Sequence, residues 1–189
     1  MNVDLSGRIA RISGETNQVA EAISAALQHN GARLDDAALA DLHLFSLPLL
    51  PGSGRAIEPL LDDMQQVATA MVARGGGRIL VIVSAMAVMP MRRHPEFSRQ
   101  LAGVVAAVRS LAMAHAPDVT INAVAVGLIG EPLVAGDAAM LSHVPVGRPG
   151  EVEEVVGAAL FLLDPRNSYT TGQVLVVDGG WSTGYGRNF

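Results

Sequence analysis

The sequence predicts a doubly wound α/β sandwich, with helices layered on both faces of a mostly parallel sheet. Three observations carry this expectation. Strand-like and helix-like stretches alternate along the whole chain. The run Ile79–Val83 is apolar without interruption, the pattern of a strand covered on both faces. The chain has 189 residues, 50% of them hydrophobic, enough for one substantial core and too few for two ordinary domains. Residues 1–189 are therefore expected to form a single domain.

Ile9–Ile12 reads as a first short strand, followed by a loop around Gly14. A helix is expected from about Gln18 to His29, because Val19, Ile23, Ala26 and Leu27 share one face and Gly31 stops it. Leu42–Ser46 is a strand candidate, and Pro48, Pro51, Gly52 and Gly54 mark a loop after it. Leu60–Ala73 reads as helix, ended by three glycines from Gly75 to Gly77, and Ile79–Val83 is the apolar strand. Pro95 suits the first position of a helix whose apolar face runs through Phe97, Leu101, Val104, Val108 and Leu111. Thr120–Val126 is another buried strand. A helix follows Pro149 with Val152, Val155, Val156, Ala159 and Leu163 on one side, and Asp164-Pro165 ends it; Gln173–Asp178 is the last strand.

Composition excludes several function classes. Thirteen basic and eighteen acidic residues leave a formal net charge of -5, and every basic residue is an arginine. The arginines are scattered apart from Arg92-Arg93, which argues against nucleic acid as a partner. Without lysine there is no Walker loop, so Gly52-Ser-Gly-Arg55 and Gly75-Gly-Gly-Arg78 read as connections. Without cysteine there is no thiolate metal site, and His29, His43, His94, His115 and His143 show no ligand spacing. Asp35-Asp36 and Asp62-Asp63 are adjacent pairs, read as solvent-facing on helices. The N-terminus lacks the pattern of a signal peptide and the longest apolar stretch, Ile79–Met91, is too short to span a membrane; a cytoplasmic protein without membrane partners is expected.

Several ordered motifs then point one way. Thr120-Ile-Asn-Ala-Val-Ala-Val-Gly127, Gly147-Arg-Pro-Gly150 with Glu153-Glu154, and Tyr169-Thr-Thr-Gly-Gln173 with Val177-Asp-Gly-Gly180 together resemble the short-chain dehydrogenase/reductase family. Leu5–Gly14 resembles the start of that family's first strand. The resemblance implies a Rossmann-like fold with a nicotinamide dinucleotide at the first strand-to-helix turn, and a serine, a tyrosine and a lysine as catalytic residues. In this chain Ser84 matches the serine, while Phe97 and Leu101 stand at the tyrosine and lysine positions. Of three cofactor-loop glycines only Gly14 is kept, with Glu15, Gln18 and Ala20 beside it; Val126 replaces a proline, and Glu131 a threonine that meets the carboxamide.

Against a family length of roughly 250 residues the deficit is about 50 to 60, close to two βα units. The second and third strands are therefore expected to be deleted, leaving about five strands in family order 1-4-5-6-7, with Arg8 and Arg11 protecting a new edge at the first strand.

Hydride transfer to a carbonyl needs a proton donor, and neither Phe97 nor Leu101 ionises. The expectation is a chain that is not an enzyme by itself, with Ser84 and Gly14 as relics, no catalytic residue, no bound cofactor and no metal. It is expected to assemble with an active paralogue or with itself, through helices about Leu60–Ala73 and Pro95–Ala114 and the last helix and strand, about Glu151–Leu163 and Gln173–Asp178. By analogy such a complex acts on a ketoacyl- or hydroxyacyl-CoA. Trp181 and Tyr185 are candidate contacts with the neighbour. Two other readings stand beside this one: an active NAD(P)-dependent oxidoreductase with a rebuilt site, and a ligand-sensing module using the apolar cleft left by Phe97, Leu101 and Ser84.

Overall fold

A computed structural model describes residues 2–37, 39–52, 56–130 and 138–184. The expected class is observed: one parallel sheet with helices on both faces. In chain order the elements are β1 (Ile9–Gly14), α1 (Gln18–His29), β2 (Arg33–Leu34), β3 (Leu42–Ser46), α2 (Glu58–Ala73), β4 (Gly77–Ser84), α3 (Pro95–His115), β5 (Val119–Val126), α4 (Val152–Leu163) and β6 (Val174–Val177). Strand order is β2-β1-β3-β4-β5-β6. No helix among the described residues is long and apolar enough to cross a membrane.

The strand count corrects one expectation. A second strand survives as a two-residue stub, pairing Ile9 with Arg33 and Ala10 with Leu34, so six strands form among the described residues where about five were expected. β1 continues past the stub, so Arg11, Ile12, Ser13 and Gly14 have a strand partner only in β3. That half-open edge shapes a crevice described below.

Alternation along the central strands divides the interior into two cores. On β4, Ile79, Val81 and Val83 face α2 and α3, while Leu80 and Ile82 face α1 and α4. β5 does the same with Ile121, Ala123 and Ala125 on one face and Val124 and Val126 on the other. Both strands thus require apolar residues at nearly every position, which is why they read as unbroken runs.

The motifs that carried the family resemblance fasten the right half of the sheet. Asn122 on β5 accepts from the Gln173 amide at 3.0 Å and donates to the Thr170 carbonyl at 2.9 Å, fixing the approach to β6. Arg148 binds Glu154 at 2.9 and 3.0 Å, and Glu154 accepts from the Glu151 amide at 2.7 Å, completing a reciprocal cap on α4. These donors, the Arg148 guanidinium first, hold the Glu154 carboxyl down at about 2. Arg78, at the start of β4, donates to the carbonyls of Pro165 and Asn167 at 2.9 and 2.8 Å, tying the end of α4 to the sheet.

Candidate functional site

Every strand is parallel, so all carboxyl ends lie along one rim, and the loops leaving that rim are where this architecture places ligands. Two openings there bear on the site, beside a third lined by Gln18, Gly130 and Arg148. The first is a crevice of about 450 Å³ at the ends of β1 and β2, walled by Gly14, Glu15, Ala20, Glu21, Asp35 and Asp36. The expectation that Asp35 and Asp36 sit on a helix is corrected: they follow β2 directly, where the chain leaves the sheet. The alternation Ala32-Arg33-Leu34 between Gly31 and two acids was the available signal, too short to separate from a loop.

Gly14 has a structural reason to be glycine. Its φ is +106°, and a Cβ built there would lie 2.0 Å from the Ser46 carbonyl oxygen on β3. The requirement comes from the close approach of β1 to β3. At the start of α1, Asn17 caps the helix, its side chain accepting from the Ala20 amide at 3.0 Å and donating to the Ser46 hydroxyl at 3.2 Å. That cap occupies the Ala20 amide, one of the helix-start donors that an anion would otherwise use. Oε2 of Glu15 is buried without a hydrogen-bond partner, and Asp36 is exposed at the crevice mouth. Such acceptors suit the hydroxyl groups of a nucleoside sugar and repel a phosphate. The crevice thus fits the sugar of a dinucleotide and does not reproduce the glycine-lined phosphate seat.

The second opening is a cleft of about 510 Å³ built from the loops after β3, β4, β5 and β6. Its apolar wall is Met86, Met91, Met140 and Trp181, and its polar side chains are Arg92, Arg93, His94 and His143. Local bonds position each part. Ser84 accepts from the Met86 amide at 3.4 Å and starts the 3-10 turn Ala85–Ala87. Ser98 on α3 accepts from the Met91 amide at 3.0 Å and holds the preceding loop against the helix. His94 is the N-cap residue of α3 and makes no side-chain capping bond. Asp178 accepts from the amides of Gly180 and Ser182 at 2.9 and 2.7 Å, making the turn that seats Trp181. Trp181, expected as a contact with a neighbouring chain, is 8% exposed and packs in its own core.

Ser84 is buried at the rim of β4, and Leu101 is fully buried in the core beneath α3. Phe97 is half-buried against that same core. Helix α3 packs on the turn that follows Ser84, and none of the three lines the cleft. Glu131, Tyr185 and the Ser53-Gly54-Arg55 part of the glycine loop lie outside the described residues. Asp62 and Asp63 are exposed on α2, and His43 is buried in β3. Among the described residues no cluster of three or more His, Asp or Glu side chains is placed to hold a metal. Sequence reasoning missed the cleft altogether, because its walls come from four loops with no shared spacing.

Comparison with known proteins places this geometry. The family model described as enoyl-(acyl carrier protein) reductase matches residues 61–182. An NAD-dependent glycerol dehydrogenase of Listeria innocua is 34% identical over 125 residues, covering 62% of this chain and 49% of that protein. A 3-oxoacyl-(acyl-carrier-protein) reductase of Vibrio harveyi is 32% identical over 130 residues, covering 66% of this chain and 53% of that protein. The chain thus spans about half the length of the curated relatives it matches. A short chain dehydrogenase from Leptospira borgpetersenii, solved with bound NAD+, shares the fold with a TM-score of 0.74 at 18% identity, over 95% of this chain and 94% of that one.

These relatives overturn the expectation that the chain is not an enzyme, since they are named as dehydrogenases and reductases and point to an oxidoreductase. That expectation rested on Phe97 and Leu101, which are packing residues outside the cleft, and on a cofactor loop that keeps only Gly14; it weighed His94 and His143 as metal ligands alone. With residues 61–182 matched and the parallel sheet in place, the chain belongs to the short-chain dehydrogenase/reductase family.

Proposed function

We propose that this chain is a nicotinamide-dependent oxidoreductase with a rebuilt site, interconverting a carbonyl and an alcohol in the cleft above β3 to β6. The observation that carries the reading is the cleft itself. It combines a methionine- and tryptophan-lined wall with two imidazoles, at the rim where this architecture binds substrates. His94 and His143 supply what Phe97 lacks, a ring nitrogen that can carry and donate a proton. In the reducing direction the carbonyl carbon gains a hydride and its oxygen gains a proton. An imidazolium in the cleft donates that proton and is left neutral, to be recharged from solvent. The apolar wall keeps competing water from the carbonyl. A nicotinamide dinucleotide, when bound, supplies the hydride; Glu15 and Asp36 are the groups placed to accept from its sugar hydroxyls.

Steady-state kinetics of the purified chain with NADH or NADPH and a panel of carbonyl compounds test this reading. Replacing both imidazoles, His94→Asn with His143→Asn, is expected to lower kcat by about 10²-fold or more and flatten the pH–rate profile. Unchanged kcat in the double variant overturns the assignment of the proton donor.

We also propose association with a second chain of this family, its own copy or a paralogue, through the outer faces of α2, α3, α4 and β6. β6 ends the sheet, and Met113 on α3, Phe161 on α4 and Leu175 on β6 are 77%, 45% and 37% exposed. Sizing by light scattering, alone and after co-expression with an intact family member, is expected to show a dimer or larger. A monomer in both preparations removes this part.

A further inference from the structure

We infer that the substrate taken by this cleft is an aliphatic carbonyl compound bearing an anionic head group, with Arg92 and Arg93 as the anion's binding residues. The inference rests on reading the cleft as the substrate site. Two arginines adjacent in sequence line its mouth, both exposed, and neither forms an ion pair among the described residues. Arg8, Arg33, Arg74, Arg99, Arg148 and Arg166 each face a carboxylate; among the described residues Arg11, Arg78 and Arg109 form no ion pair either, and what sets Arg92 and Arg93 apart is that they line the cleft together. The loop carrying Arg92 and Arg93 is not free to wander, because its start is held by Ser98 and the His94 amide donates to the Met91 carbonyl at 3.0 Å.

A second contribution comes from α3, which begins at Pro95 immediately after the arginine pair and carries 21 residues of aligned peptide dipoles. Its positive end lies beside the arginines, and His94 leaves that end without a side-chain cap. Guanidinium groups and a helix start together attract a carboxylate or a phosphate. Behind them the wall is apolar, with Met86, Met91, Met140 and Trp181 offering flexible thioethers and one flat ring to a hydrocarbon body. The cleft's volume of about 510 Å³ suits a single small ligand with head at the arginines and chain against the methionines.

Trp181 is the only tryptophan in the chain and lines the cleft, so its fluorescence reports occupancy directly, without turnover or nucleotide. The full chain is titrated with octanoate, octyl phosphate and the neutral octan-1-ol at low salt, and again after Arg92→Gln with Arg93→Gln. Both anions are expected to change Trp181 emission at lower concentration than the alcohol. The double substitution is expected to weaken the anions by about ten-fold while leaving octan-1-ol unchanged, since exposed pairs contribute up to about 1 kcal/mol each. A preference for octanoate over octyl phosphate, or the reverse, identifies the head group. Equal binding of alcohol and anions, no loss in the double variant, or no emission change with any probe overturns the inference. Binding without turnover sinks the oxidoreductase reading alone, and turnover confined to neutral ketones sinks this inference alone.

Discussion

Acidification below neutrality is expected to destabilise the fold through His43. The imidazole is 3% exposed on β3, stacked on the Phe45 ring with centroids 4.3 Å apart and planes 6° from parallel. Its Nε2 is 2.9 Å from the Ser13 hydroxyl on β1. Burial is the main reason its pKa falls from 6.5 to about 4, and the Arg11 charge pushes the same way. A base whose folded pKa is depressed binds its proton more readily when unfolded, so stability rises with pH across the interval between the two values. It is complete above 6.5 and is lost as pH falls toward 4. At the lower end the loss is about 3 kcal/mol, at roughly 1.36 kcal/mol per pKa unit less the part already titrated in the folded state. Urea denaturation at several pH values gives the curve. His43→Leu removes the titration while keeping an apolar occupant, so the difference between the two proteins isolates this side chain from the carboxylates. An NMR titration of the His43 ring proton checks the folded pKa independently. Parallel stability curves for the two proteins, or a ring titrating near 6.5, would refute the reasoning.

Three further substitutions test the packing that frames the two openings. Gly14→Ala forces a positive φ on a residue with a Cβ and drives that Cβ into the Ser46 carbonyl, so a loss of at least about 1–3 kcal/mol is expected in urea denaturation. Leu101→Ala opens a cavity in the core under α3 and is expected to cost about 2–5 kcal/mol by the same measurement. Arg78→Ala leaves the carbonyls of Pro165 and Asn167 without their donor; about 2–4 kcal/mol is expected, with faster amide exchange in β6 by mass spectrometry.

Much of the scaffold was legible because local signals were strong where both faces of an element are buried. Helix α1 begins and ends where the pattern placed it, since Asn17 caps it and Gly31 closes it at φ +97°. Strands β4 and β5 announced themselves as apolar runs because α2 and α3 cover one face and α1 and α4 the other. Strand β2 was not legible: with two residues it has no periodicity, and its existence depends on pairing with Ile9 and Ala10. The site was less accessible still. The resemblance directed attention to Ser84, Phe97 and Leu101, whereas the cleft is assembled by Met86 after β4, Met140 after β5 and Trp181 after β6, residues brought together by topology alone. Gly14 shows the converse, a family position whose glycine is already required by strand packing.

The most direct test of the central claim is whether this polypeptide, expressed without any paralogue, oxidises NADH or NADPH in the presence of a carbonyl compound. The account predicts nucleotide-dependent turnover that falls when His94 and His143 are replaced together, and weaker nucleotide binding in Asp36→Asn. Nucleotide that stays reduced at the solvent rate with every carbonyl offered, and no change in nucleotide fluorescence on mixing, would contradict it.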